Sequence, residues 1–197
     1  WIGDDDDGQR EVESALAQLT RAGTACRLMV GNRDFLIGRR FAHRTGCQRL
    51  RDPSRIELGG EPVLLMHGDL LCIDDVPYQR FRRRVRNPLV QWLFLRQPLS
   101  KRRRIAADYR RKSAAATADK QSEIMDVAPA AVAEAMRRHR VRRIIHGHTH
   151  RPADHDFALD AGPARRHVLA DWREGRGEVL VFRDGEFLRE LVSPSPP

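Results

Sequence analysis

Three times along the chain a short, mostly apolar run opens into a polar, glycine-bearing loop. Residues 26–30 (CRLMV) lead into Gly31-Asn32-Arg33-Asp34, residues 62–66 (PVLLM) into His67-Gly68-Asp69, and residues 141–145 (VRRII) into His146-Gly147-His148-Thr149-His150. Runs this short, bounded by turn residues, read as strands. Helical patterns lie between them. Residues 9–22 carry Val12, Ala15, Leu16 and Leu19 at helical spacing and stop at Gly23, and a second helix is predicted over 128–140, just before the third run. Strands alternating with helices predict an α/β fold around a parallel sheet. In such sheets ligands collect at the loops beyond the strand C-termini, where these three polar clusters stand. Two further runs, 166–171 and 178–191, are predicted as antiparallel strands, the second folded on itself at Asp184-Gly185.

Charge divides the chain. Its 36 Lys and Arg against 27 Asp and Glu give +9 over 197 residues, a length that suits one domain. Residues 80–112 hold 13 cations and one acid, Asp108, a local +12, so the rest of the chain carries −3. Only Lys101, Lys112 and Lys120 are lysines. A basic segment on a mildly acidic body meets phosphate, nucleic acid or an anionic membrane surface. Four acids near the start, Asp4 to Asp7, read as a solvated turn. Residues 76–127 are rich in helix formers and show no convincing strand. They are predicted as a helical insertion within a single domain spanning 1–197. Inside it, PLVQWLFLRQPL is either a buried helix or an exposed apolar surface for lipid, and it is too short to span a bilayer.

Several classes are set aside. No run approaches 18 apolar residues and no signal-peptide pattern appears. Cys26, Cys47 and Cys72 show no CxxC spacing, which argues for a reducing compartment. Aromatic residues in the basic segment are limited to Phe81, Trp92, Phe94 and Tyr109, and no recognition-helix or RNA motif appears, so no nucleic-acid partner is expected. The loops instead offer Asn32, His67, His148 and His150, an amide oxygen and imidazoles suited to Mn²⁺, Fe²⁺ or Zn²⁺. A loop bending after His148 lets both of the last two rings reach a pair of ions about 3.5–4 Å apart.

The ordered set GNRD, HGD and HGHTH resembles the calcineurin-like metallophosphoesterases, whose motifs run D-x-H, G-D, G-N-[HR]-D, H-G and G-H-x-H. Longer strings narrow the likeness. Gly31-Asn32-Arg33-Asp34-Phe35-Leu36, His67-Gly68-Asp69 with Leu71-Cys72 and Asp74-Asp75, Ile124-Met125-Asp126-Val127, and Ile145-His146-Gly147-His148-Thr149-His150-Arg151-Pro152 resemble the UDP-2,3-diacylglucosamine pyrophosphohydrolases of lipid A biosynthesis. The resemblance implies an α/β/β/α sandwich with a helical lid at 76–127. Trp1-Ile2-Gly3-Asp4-Asp5 resembles the segment just after the family's G-D-L-F-E. The chain is therefore expected to be N-terminally truncated, lacking the D-x-H motif, the Asp of G-D-L-F-E and the first strand-helix unit.

The implied reaction is hydrolysis of the pyrophosphate bond of UDP-2,3-diacylglucosamine to 2,3-diacylglucosamine 1-phosphate and UMP. Metal-activated water attacks the α-phosphorus, with two Mn²⁺ in a complete site. By the same resemblance, Asn32, His67 and His148 would bind one Mn²⁺ and His150 the other. Asn32 and Arg33 would contact the substrate phosphates, Asp75 the glucosamine, and Ser113, Thr117 and Lys120 the rest of the substrate. His148 would also touch substrate, and with Arg33 it is the catalytic expectation. His146 is expected to support the loop without ligating. A monomer is implied, cytoplasmic and held peripherally on the anionic inner membrane of a Gram-negative bacterium. Two alternatives stay open: another phosphodiesterase or nucleotide phosphatase of the same superfamily, and an inactive remnant.

Overall fold

The computed structural model describes residues 1–118 and 126–192. The chain divides into two compact units, Trp1–Arg51 with Asp74–Met125, and Asp52–Ile73 with Asp126–Pro197.

In the first unit a 3-10 turn, Asp7–Gln9, leads into α1, Arg10–Arg21. Strand β1, Arg27–Met29, pairs in parallel with β2, Gln48–Leu50, and between them lies α2, Arg39–Thr45. The run at 26–30 was expected as a buried strand, yet Arg27 is exposed and Leu28 and Met29 are only half-buried. The apolar centre lies one turn on, where Val30, Ile37 and Phe41 pack with Trp1, Leu16, Leu28 and Phe35. Helix α1 is tied to α2 twice. The Thr20 hydroxyl donates to the Thr45 carbonyl at 2.6 Å, and Arg44 grips Glu13 through two nitrogens at 2.7 and 2.6 Å.

The acidic start is not a solvated turn. The Asp4 carboxylate accepts the backbone N–H groups of Gly38, Arg40 and Phe41, at 2.7, 3.0 and 3.3 Å. It serves the orphan donors at the N-terminus of α2 from 34 or more residues away. Asp5 and Asp6 are ion-paired to Arg102 and Arg103. Arg102 is 2% exposed, and its guanidinium also donates to the Ile2 carbonyl at 2.7 Å and the Gln97 carbonyl at 3.0 Å. A buried guanidinium is tolerated because its donors are matched in this way.

Three helices fill the described part of 76–127: α3, Val76–Val85, α4, Pro88–Leu95, and α5, Leu99–Ala118. The side chains of Asp75 and Asn87 cap α3 and α4, and a proline stands in the first turn of each. Between the two readings of PLVQWLFLRQPL, the structure favours the exposed apolar surface. Leu89 is 63% exposed, Trp92 48%, Leu93 50% and Leu95 41%.

The second unit is built on a five-stranded sheet. Its strands are β3, Ser54–Leu58, β4, Glu61–Met66, β5, Arg143–His146, β6, Ala153–Leu159, and β7, Gly162–Val168. They lie in the order β3-β4-β5-β7-β6, with β4, β5 and β7 parallel and the edge strands antiparallel. Helix α6, Pro129–His139, covers this sheet with Val132 and Met136, which pack on Leu64, Met66, Leu71, Val127, Ile144 and Ala164. A hairpin, β8, Gly177–Arg183, and β9, Glu186–Val192, closes the unit, with Asp184-Gly185 at its turn as expected. The strand expected over 166–171 lies earlier, ending at Val168. The strand expected from Val141 begins at Arg143, because Arg140 turns left-handed (φ 53°) and the Val141 N–H returns to the Met136 carbonyl at 3.0 Å.

His167, on β7, is fully buried and stacks on Phe187 with ring centroids 4.7 Å apart. An Arg143 N–H donates to its Nε2 at 3.1 Å, so the proton sits on Nδ1 and is donated to Asp154 at 2.9 Å. The ring is therefore neutral, and its contact with Asp154 is a hydrogen bond, not an ion pair. Burial, aided by Arg143, lowers its pKa despite the Asp154 carboxylate. The unfolded chain then binds the extra proton more readily below its ordinary pKa of about 6.5, so stability is full above that pH and falls as pH drops. Urea unfolding of the wild type and of His167→Gln should show a wild-type loss below about pH 6.5 that is shallower in the variant; parallel curves would remove His167 as the cause.

Candidate functional site

The parallel pairing of β4 with β5 carries two of the three polar loops to the same end of one sheet, with Met66 opposite His146. The loops then touch directly. The Gly147 N–H donates to the His67 carbonyl at 3.0 Å, and the His67 N–H donates to Asp52 at 3.1 Å. Gly68 makes this approach possible. Its φ is +114°, and a Cβ there would lie 2.8 Å from the Gly147 carbonyl oxygen and 2.9 Å from His146 Nδ1. Glycine alone avoids both the clash and the backbone cost.

His67 and His148 end up edge to face, with ring centroids 4.9 Å apart. His148 and His150 both adopt positive φ, 71° and 55°, unusual for residues with a side chain, and Thr149 N–H folds back to the Gly147 carbonyl at 2.9 Å. Strain of this kind gathers at functional loops. The His150 ring is mostly exposed and stands 3.9 Å from Asp171. Beneath them His146 is fully buried, and burial pushes its pKa down to about 4. Its Nδ1 faces the Gly147 carbonyl at 2.9 Å, which places the proton there and leaves Nε2 as a buried lone pair without a partner among the described residues.

The donor set fits a divalent ion. Facing imidazoles are borderline ligands, matched to Mn²⁺, Fe²⁺ or Zn²⁺. Among the described residues, no group of three or more His, Cys, Asp and Glu side chains closes round a metal.

The remaining expected residues lie in the first unit. Asn32 is half-buried and Arg33 exposed, in the loop after β1. That loop is pinned by an Asp34 carboxylate accepting the Gly31 N–H, and by Arg86 donating to the Gly31 carbonyl at 2.9 Å. Asp75 is 8% exposed and spends one oxygen capping α3, on the Tyr78 N–H at 3.1 Å. Ser113 is exposed on α5, Thr117 lies on the same helix, and Lys120 lies outside the described residues.

Sequence reasoning quoted Asp126 and Arg151 as motif letters and gave them no role. The structure pairs them at 2.7 Å, holding the chain beyond His150 against the segment that enters α6. Arg86 was read only as one charge among many. It supports the GNRD loop and lies over the Phe35 ring, 5.4 Å from its centroid. A charge run shows the first role but not the second.

The family model described as calcineurin-like phosphoesterase matches residues 1–152. A protein of Aeromonas hydrophila named UDP-2,3-diacylglucosamine hydrolase is 53% identical over 188 residues, 94% of this chain and 78% of its own length. Proteins of the same name from Pseudomonas paraeruginosa and Edwardsiella ictaluri are 54% and 50% identical, covering 89% and 97% of this chain and 74% and 75% of their own.

The two loop glycines make a matched test. Gly68→Ala should destabilise the fold by about 2–3 kcal/mol and lower metal affinity, since backbone must move. Gly147→Ala, whose Cβ would meet only the His67 carbonyl at 3.7 Å, should cost under about 1 kcal/mol. Urea unfolding checks both, and equal costs would refute the loop-contact account.

Proposed function

Because the chain belongs to the calcineurin-like phosphoesterases, which work with divalent metal ions, we propose that it hydrolyses the pyrophosphate bond of UDP-2,3-diacylglucosamine, giving 2,3-diacylglucosamine 1-phosphate and UMP in lipid A biosynthesis. The observation that carries this reading is likeness to proteins named for that substrate, extending through all three polar loops and the helices between them. The metal is Mn²⁺, held by Asn32, His67 and His148 for one ion and His150 for the other. Bound there, it supplies an activated water at neutral pH and neutralises charge on the transferring phosphoryl group.

This chain's own residues do the rest. Arg33 and Asn32 bind the phosphate oxygens and orient the α-phosphorus. Arg33 acts as a fixed cation: the leaving sugar phosphate departs as a stable anion and needs no proton, so a planar guanidinium fork suits it better than an acid. His148 meets both metal and substrate. Asp75 binds the glucosamine, and Ser113, Thr117 and Lys120 line its surroundings. The rigid β4–β5 loop contact supports this arrangement by fixing His67 against His148.

The helices α3 to α5 act as a lid. Exposed Leu89, Trp92, Leu93 and Leu95 take acyl chains, which a small phosphodiester would not need, and the arginines meet anionic headgroups. Among the described residues no helix is long and apolar enough to cross a membrane. On this reading the protein works as a monomer held peripherally on the cytoplasmic face of the inner membrane. Each cation near such a surface contributes roughly 1 kcal/mol.

UMP release from UDP-2,3-diacylglucosamine should vanish on chelation and return with Mn²⁺. Equal rates on an unacylated nucleotide sugar would favour a general phosphodiesterase instead. Arg33→His should lower kcat about tenfold or more without adding an acidic limb to the rate profile; a gain in activity with a new acidic pKa would overturn the electrostatic role. The protein should sediment with anionic vesicles and be released by salt, and indifference to lipid charge and salt would remove the membrane reading.

A further inference from the structure

Beside the HGHTHRP loop a cavity of about 220 Å³ opens in the second unit. Asp126, Thr149, Arg151, His155, Arg166 and Val168 line it. None of the roles above uses the space itself. Its polar lining is rich in donors and poor in acceptors. The one carboxylate there, Asp126, is committed on both oxygens, to the Val127 N–H and to Arg151, each at 2.7 Å.

Arg166 is the contrasting case. It stands on β7, in register with His155 on β6, and is half-buried. Among the described residues its guanidinium donates no hydrogen bond and forms no ion pair. Asp126 acts on it only through its field, and burial works against its charge. A guanidinium stays protonated regardless, so Arg166 is a cation half removed from water whose donors have no protein acceptor among the described residues. Thr149 belongs to the same wall, and its hydroxyl oxygen is buried and, among the described residues, without a partner. A fork of N–H donors beside a hydroxyl is the complement of a tetrahedral oxyanion. The cavity is smaller than the roughly 300–1,000 Å³ that takes a drug-sized ligand. It has room for a phosphate and the first atoms of what the phosphate is attached to.

We propose that this cavity is a binding site for a phosphate-class oxyanion, with Arg166 and Thr149 as its donors. Only the natural occupant rests on the hydrolase reading: of the two phosphomonoesters that this reaction releases, UMP carries no acyl chains and suits a cavity of this size, and free inorganic phosphate has the same chemistry.

The test is calorimetric titration of the full chain with inorganic phosphate and with UMP, repeated in excess chelator so that binding at the metal centre is subtracted. Phosphate binding should survive chelation, weaken about tenfold or more in Arg166→Gln, and weaken several-fold in Thr149→Val, which keeps the side-chain shape. UMP binding more tightly than phosphate identifies the nucleotide product as occupant, and equal affinities identify the phosphate group alone; both support the site. Absence of binding in chelator, or unchanged affinity in both variants, overturns it. Intact phosphate binding in a protein inert toward UDP-2,3-diacylglucosamine would sink the substrate reading and leave this site standing, whereas full hydrolysis without such binding would do the reverse.

Discussion

The parallel pairing of β4 with β5 is the contact on which the two histidine-bearing loops depend. Its register sets Met66 against His146, so the next residue on each strand begins a loop at the same height. A slip of one residue would turn every side chain to the opposite face and separate His67 from His148. Parallel neighbours cannot be joined by a tight turn. The chain here leaves after β4 and returns at β5 only after α3, α4, α5 and α6. Helices α3 to α5 therefore occupy a connection that parallel pairing already requires to be long.

Two kinds of support act on the site. One is steric: Gly68 lacks the atom that would force the loops apart. The other is electrostatic and local. Asp34 and Arg86 hold the GNRD loop, while Asp126 and Arg151 hold the chain beyond HGHTH. Asp34 and Arg86 each hold the Gly31 backbone, one at its N–H and one at its carbonyl, whereas Asp126 and Arg151 pair directly with each other. Such partners order a loop before a ligand arrives, which lowers the entropy that binding must overcome.

Much of this was legible from the letters alone. The helices at α1 and α6, the strand β4 and the β8–β9 hairpin carry strong local signals, and the family likeness follows from three short motifs. What escaped was fixed from a distance. Helix α2, RRFAHRT, has one large apolar residue and owes its N-terminus to Asp4, so its own sequence says little. Edge strands β3 and β6 mix charged and apolar residues because one face meets water, and periodicity there is faint. The acidic start was misread for the same reason. Four aspartates in a row look solvated until α2 and two arginines of α5 are seen to be the partners of Asp4, Asp5 and Asp6, while Asp7 stays at the surface with Arg10. The polar loops were legible from their residue types, while the contacts that hold them needed coordinates.

The composition of α5 has a chemical consequence. Helix α5 carries seven cations, and only Lys101 and Lys112 among them are amines. An amine can lose its charge to acetylation or to alkaline solution, but a guanidinium keeps its proton at any pH a cell experiences. The positive field over this helix is thus a permanent property of the polypeptide. Acyl-transfer chemistry that silences lysine-rich surfaces would leave five of its seven charges in place.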